Sequence, residues 1–175
     1  HLWKTGREDV EADAERLKAA LIQVTTVEGR SGPLEAATLA AAFNVYVESY
    51  EPKRGGFGGA PKFPMPVNLN FLLRYHARAQ NKKALEMVSR TLSEMAKGGI
   101  HDHLGGGFHR YSTDERWHIP HFEKMLYDSA QIAVNYLEAY QVTRNEEFAR
   151  VARGVLDYVG RDMTGSGGGF YSAED

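Results

Sequence analysis

The chain contains no cysteine in 175 residues. Within it, that excludes a disulfide scaffold, a thiolate zinc or iron–sulfur site and a cysteine nucleophile. A charge excess is also missing. With 21 Lys and Arg against 23 Asp and Glu, the net charge is −2, which leaves no electrostatic footprint for nucleic acid or an anionic membrane. No apolar run approaches the roughly 18 residues needed to span a bilayer. The start His1-Leu2-Trp3-Lys4 has no signal-peptide core, so a soluble, cytoplasmic protein is expected. Period-two alternation of useful length is absent too, which argues against a sheet protein. What is present is an ordinary globular balance, 42% hydrophobic and 25% charged, sufficient for one core and incompatible with wholesale disorder.

Glycine and histidine are unevenly distributed. Thirteen of 18 glycines fall in three patches, 55–59, 98–107 and 165–169, and the intervals carry helical periodicity. Val10, Ala14, Leu17, Leu21 and Val24 mark one face of a helix over 7–24. Ser31-Gly32-Pro33 opens a second helix to about Tyr50. Further helices are expected over 66–79, 81–97, 120–143 and 145–163, the fourth closed by Gly98-Gly99. The short turns between them favour antiparallel packing. The resulting fold class is all-α: six helices in three antiparallel hairpins with long Gly-rich loops. Gly-Gly-Phe occurs three times, its phenylalanines at 57, 108 and 170. One hairpin fits each interval, as in a hairpin array or toroid whose equivalent loops share a rim.

Five of seven histidines lie in residues 101–121, among Asp102, Arg110, Asp114, Glu115, Arg116 and the aromatics Phe108, Tyr111 and Trp117. A long loop mixing titratable groups, glycines and aromatics is a site candidate. No metal is expected. In His101-Asp102-His103 neighbouring side chains of an extended segment diverge, and His121-Phe122-Glu123 lacks a helical i, i+4 histidine partner. If the helix starts at Pro120, His121, Lys124 and Asp128 form one polar stripe, opposite an apolar face of Phe122, Leu126, Ser129, Ala133, Tyr136, Leu137 and Tyr140. The stripe either faces water with a Lys124–Asp128 ion pair or faces a cleft, where histidine carries protons and lysine holds an oxyanion. Lys62, between Pro61 and Pro64, has a fixed direction, although a lone loop lysine is usually solvated. Glu174 and Asp175 could act as one half of a carboxylate pair only with a partner from another loop, Asp102 or Asp114.

Three motifs carry a family resemblance. Gly56-Phe57-Gly58-Gly59-Ala60-Pro61-Lys62-Phe63-Pro64, the run from Gly105 through Phe108-His109-Arg110-Tyr111-Ser112 and Trp117 to Pro120-His121-Phe122-Glu123-Lys124-Met125-Leu126-Tyr127-Asp128, and Gly168-Gly169-Phe170-Tyr171-Ser172-Ala173-Glu174-Asp175 resemble the spermatogenesis-associated, thioredoxin-domain-containing proteins and their bacterial YyaL-type relatives. The resemblance covers about 55–175. It implies a thioredoxin-like domain followed by an (α/α)6 toroid of the kind found in N-acylglucosamine 2-epimerases and six-hairpin glycosidases. Residues 1–175 would then be one partial toroid domain, its first half, with the thioredoxin-like domain upstream and the remaining hairpins downstream outside it. The family pattern has an aromatic where His101 stands and Asn where Ser129 stands, which weakens His101 as a shared functional residue.

Two functions follow as expectations. The first is a carbohydrate-active or sugar-binding toroid in which His109, Arg110, His121, Glu123, Lys124 and Asp128 carry acid/base and oxyanion chemistry. In it Lys62, Asp102, Phe108, Tyr111, Trp117, Tyr127, Glu174 and Asp175 bind a sugar or sugar-derived molecule, without metal or cofactor. The second is a non-catalytic scaffold that works with the thioredoxin-like domain of the same full-length protein. The scaffold requires mutually saturated polar groups and no open cleft; the enzyme requires the reverse.

Overall fold

A computed structural model describes residues 2–26 and 35–175 of the chain. It divides into two units, 1–35 and 36–175. The first contains α1 (Leu2–Thr5) and α2 (Arg7–Thr25), in agreement with the helix expected over 7–24. No residue of α2 is buried. The expected helix start at Ser31-Gly32-Pro33 lies outside the described residues.

The second unit contains α3 (Ala36–Ser49), α4 (Pro66–Ala79), α5 (Lys82–Lys97), α6 (Leu126–Thr143) and α7 (Glu146–Asp162). Helices α4 and α5 form one antiparallel hairpin, α6 and α7 another, and α4 also packs on α6. Both hairpins use the same turn. A left-handed residue ends the first helix, Gln80 at φ 52° and Arg144 at φ 59°, and an asparagine caps the next. The Asn81 and Asn145 carboxamide oxygens accept from Ala84 N and Glu147 N, satisfying first-turn donors. On α5 the buried positions Met87, Val88, Thr91, Leu92 and Met95 fall on one face, as do Phe148, Val151, Ala152 and Val155 on α7. Between them Ile132 and Tyr136 of α6 are fully buried, and the Tyr136 hydroxyl donates to Leu92 O at 2.8 Å.

The three Gly-Gly-Phe segments share one pattern of backbone hydrogen bonds. In the first loop Glu51 N donates to Gly56 O and Gly58 N to Ser49 O; in the second, Asp102 N to Gly107 O and His109 N to Ile100 O; in the third, Gly165 N to Gly169 O and Tyr171 N to Met163 O. In the first two loops both glycines before the phenylalanine are left-handed, Gly55 and Gly56 at φ 68° and 81° and Gly106 and Gly107 at 84° and 77°, whereas in the third only Gly168 is, at 82°; glycine enters this region without penalty. Single bridges Tyr50–Phe57, His101–Phe108 and Thr164–Phe170 close the loops. The sequence repeat is therefore a structural repeat.

One boundary departs from expectation. Residues 120–125 are not the first turns of a helix. Pro120–His121 (β2) pairs antiparallel with Tyr111–Ser112 (β1), and Lys124–Met125 (β3) with Ala173–Glu174 (β4). These long-range pairings hold the segment extended, with Arg110 N donating to Glu123 O at 2.7 Å, and the helix starts at Leu126. The helical stripe His121–Lys124–Asp128 consequently does not form. On the expected apolar face Phe122 and Leu137 are exposed, whereas Ser129, Ala133 and Tyr136 are buried.

Candidate functional site

The second loop is built around a buried lysine. Lys124 Nζ donates to Asp102 Oδ2 at 2.7 Å and to Gly106 O at 2.9 Å, and lies 4.3 Å from the centre of the Tyr158 ring. Asp102 also accepts from Leu104 N and Gly105 N. Burial alone would raise this carboxyl; the hydrogen bonds from Lys124, Gly105 and Leu104 outweigh it and hold the carboxyl well below the usual carboxylate range. The first loop repeats the device. Lys62, fully buried, donates to Glu115 O at 3.0 Å, reaches Glu51 at 3.5 Å and lies over the Trp117 ring. Glu51 accepts from Lys53 N and Arg54 N, as Asp102 does from its own loop.

These contacts correct several expectations. Lys62 is not solvated, and Lys124 pairs with Asp102 rather than Asp128; both ammonium groups already hold loop backbone and a carboxylate. Phe108 and Trp117 have no exposed surface with which to stack on a ligand. Phe108 is sandwiched between His101 and Tyr136, and Trp117 Nε1 donates to Arg54 O. His101 Nδ1 is within 3.0 Å of Ala96 O. Asp114 accepts from the backbone of Arg116, His118 and Ile119, a turn role.

Other expected residues do meet at an opening. The β3–β4 pairing brings the third loop against the second, and a pocket of about 190 Å³ between them is lined by His109, Phe122, Glu123, Lys124, Glu174 and Asp175. His109 is 9% exposed and its Nδ1 has no hydrogen-bond partner. Burial, then the charge of Lys124, lowers its pKa, so the imidazole is neutral near pH 7. Glu174 Oε2 accepts from the Tyr158 hydroxyl at 2.5 Å. Burial and this carboxylate raise the phenol well above its usual value.

A second cluster adjoins through Glu123. Arg110 Nη1 donates to Glu123 Oε2 at 2.9 Å and is in hydrogen-bond reach of Tyr127. His121 Nε2 lies 3.9 Å from the same oxygen, and its ring tilts against Tyr111, which packs against Phe63. Asp128, 8% exposed, has Arg110 and Glu123 as its charged neighbours. Burial pushes its carboxyl up to about 6, with Arg110 opposing and Glu123 reinforcing. The sequence reading missed Tyr158, and it missed the amides Asn70, Gln131 and Asn135, which line a groove between α4 and α6. The run Asp128, Gln131, Asn135, Glu138 at steps of three and four residues was the available signal for them.

No described helix is long and apolar enough to cross a membrane, and no protein-family model matches the chain. The chain is 48% identical over 180 residues to spermatogenesis-associated protein 20 of Mus musculus, an alignment covering 99% of this chain and 23% of that protein. It is 47% identical to the Homo sapiens protein over the same shares. The chain thus spans under a quarter of the length of these relatives. Among solved structures, the cellobiose 2-epimerase from Spirochaeta thermophila superposes with a TM-score of 0.69 at 19% identity, over 78% of this chain and 38% of that one. At such identity the likeness concerns the fold, an α/α toroid of helical hairpins. The chain belongs to the family of spermatogenesis-associated protein 20, and its hairpins form part of an epimerase-type (α/α) toroid.

Proposed function

We propose that the pocket between the second and third Gly-Gly-Phe loops is a sugar site in which His109 acts as general base. One observation carries this reading: a neutral imidazole, nine-tenths buried, with an unpartnered nitrogen beside an open pocket. A scaffold built only for rigidity would have satisfied that nitrogen. A neutral imidazole can take a proton from a carbon next to a carbonyl or from a hydroxyl. Glu174, held by Tyr158, supplies an acceptor for sugar hydroxyls, and Glu123 is oriented by Arg110. The fold shared with a cellobiose 2-epimerase supports a sugar as the ligand. Lys62, Lys124, Asp102, Phe108 and Trp117 belong instead to the loop framework, where the scaffold reading fits them. On the same reading the 175 residues are one part of the toroid. Phe170 of the third loop is 59% exposed where Phe108 is fully buried, which supports cover by further hairpins of a longer protein.

The test is proton exchange. The intact protein is incubated in D2O with cellobiose, mannose, glucose and N-acetylglucosamine, and deuterium at C2 is followed by NMR. We expect incorporation by wild type with one of these sugars and a loss of about 100-fold or more in His109→Gln, the usual contribution of a general base. Exchange that survives His109→Gln, or none with any sugar, sinks the proposal.

A further inference from the structure

A second cavity lies away from the rim pocket and shares no lining residue with it. It is a groove of about 380 Å³ between α4 and α6, within the size range of small-molecule sites. Pro66, Val67 and Val134 give it an apolar wall, and Asn70, Gln131 and Asn135 bring three carboxamides into it. Val67 and Val134 are 64% and 42% exposed. Asn135 is the unusual member: it is 1% exposed, yet its Oδ1 has no hydrogen-bond partner. A buried acceptor left unmet is unfavourable, and a ligand donor that reaches it removes that penalty. A half-turn of the carboxamide exchanges oxygen and nitrogen, so either can be presented to the groove.

The lining also selects against charge. None of its residues is ionisable. The nearby Arg74 and Glu138, about one turn along each helix, neutralise one another through two hydrogen bonds of 2.8 and 2.9 Å. An anion or cation placed among carboxamides and valines would lose its hydration with no counter-charge in the wall.

We infer that the α4–α6 groove is a binding site for an uncharged, hydroxyl-bearing small molecule of monosaccharide size, its hydroxyls bonded to Asn135, Asn70 and Gln131 and its C–H face against Val67 and Val134. The site stands apart from the chemistry of His109 and does not depend on it.

Calorimetric titration of the intact protein with glucose, myo-inositol, glucose 6-phosphate and glucuronate tests this. Glucose or myo-inositol binds, and the two anions bind at least about tenfold more weakly. Val134→Phe fills the groove from an exposed position and abolishes binding. Asn135→Leu weakens binding about tenfold while raising the melting temperature, because it removes an unsatisfied buried amide; a merely structural asparagine would move both in the same direction. His109→Gln leaves binding unchanged. The inference is overturned if neither uncharged ligand binds at about 20 mM, well above a millimolar Kd, or if an anion binds best. Undiminished binding in Val134→Phe overturns it too, since the ligand then sits elsewhere, as does binding lost in His109→Gln. Failure of C2 exchange with groove binding intact would count against the rim proposal alone.

Discussion

The first and second Gly-Gly-Phe loops use one framework and differ where chemistry could enter. In each, a buried lysine reaches the acid that follows the bridge residue, Lys62 to Glu51 and Lys124 to Asp102, and lies over an aromatic ring. After the phenylalanine, the first loop has Gly58 at φ 76° and the second has His109. Four residues beyond the lysine, the first has buried Pro66 and the second buried Asp128. Two ionisable groups whose uncharged forms burial favours thus occur in and just after the second loop, where the first has a glycine and a proline. The motif residues Lys62, Phe108, Trp117 and Lys124 are framework, and the proposed base His109 stands at a position that differs between the two repeats.

The framework half of this comparison breaks first at glycine. At Gly107, φ is 77° and an added Cβ would lie 2.6 Å from Tyr158 Cδ1. Left-handed strain and overpacking together make Gly107→Ala cost about 3 kcal/mol. Gly59 has ordinary φ and nothing within 4 Å of an added Cβ, so Gly59→Ala should stay within about 0.5 kcal/mol. Denaturant unfolding of the two variants reads the difference. Equal effects would mean that the second loop is not the close-packed framework described above.

How far these features were legible from sequence depends on the range of the interactions. Helices α4, α5 and α7 were readable because their signals are local: Pro66 at the first turn, Asn81 and Asn145 as caps, and a one-sided apolar period. The repeat was readable because left-handed glycines leave a sequence mark. The lysine frameworks were not, because Lys124 meets Asp102 across 22 residues and Lys62 meets Glu51 across 11, with nothing local to couple them. The start of α6 was misplaced for the same reason. Pro120 favours a helix start locally, and strand pairing with residues 111–112 and 173–174 overrides it. At the candidate site, exposure divided the members of the histidine-rich loop. His109 turned inward to a pocket, while Phe108 and Trp117 became core.

Asp128 tests the chemical half of the comparison through pH. Its carboxyl titrates near 6 in the folded protein against about 3.9 unfolded. Between these values the native state binds the extra proton, so stability falls as pH rises from about 4 to 6 and levels off above. Asp128→Asn removes that loss. Relative to wild type the variant should be unchanged near pH 4 and more stable by about 2 kcal/mol at pH 7.5. Unfolding free energies measured across that range check it; a difference that is constant with pH would show a carboxyl unshifted by folding, and one that shrinks as pH rises would show Asp128 charged and stabilised when folded.

The smallest expected effect separates backbone need from side-chain role at the position after the phenylalanine. An added Cβ at Gly58 meets nothing within 4 Å, so Gly58→Ala carries only the cost of its left-handed φ, about 1 kcal/mol. His109 is not among the positive-φ residues, and its Nδ1 forms no hydrogen bond that substitution would break. His109→Gln, which keeps most of the buried side-chain volume, should therefore leave unfolding within about 1 kcal/mol of wild type while removing the proposed base. If His109→Gln destabilises the protein more than Gly58→Ala, the imidazole holds the loop together. If the order is as expected, Gly58 is fixed by backbone geometry, whereas the fold leaves position 109 free to carry a reactive group.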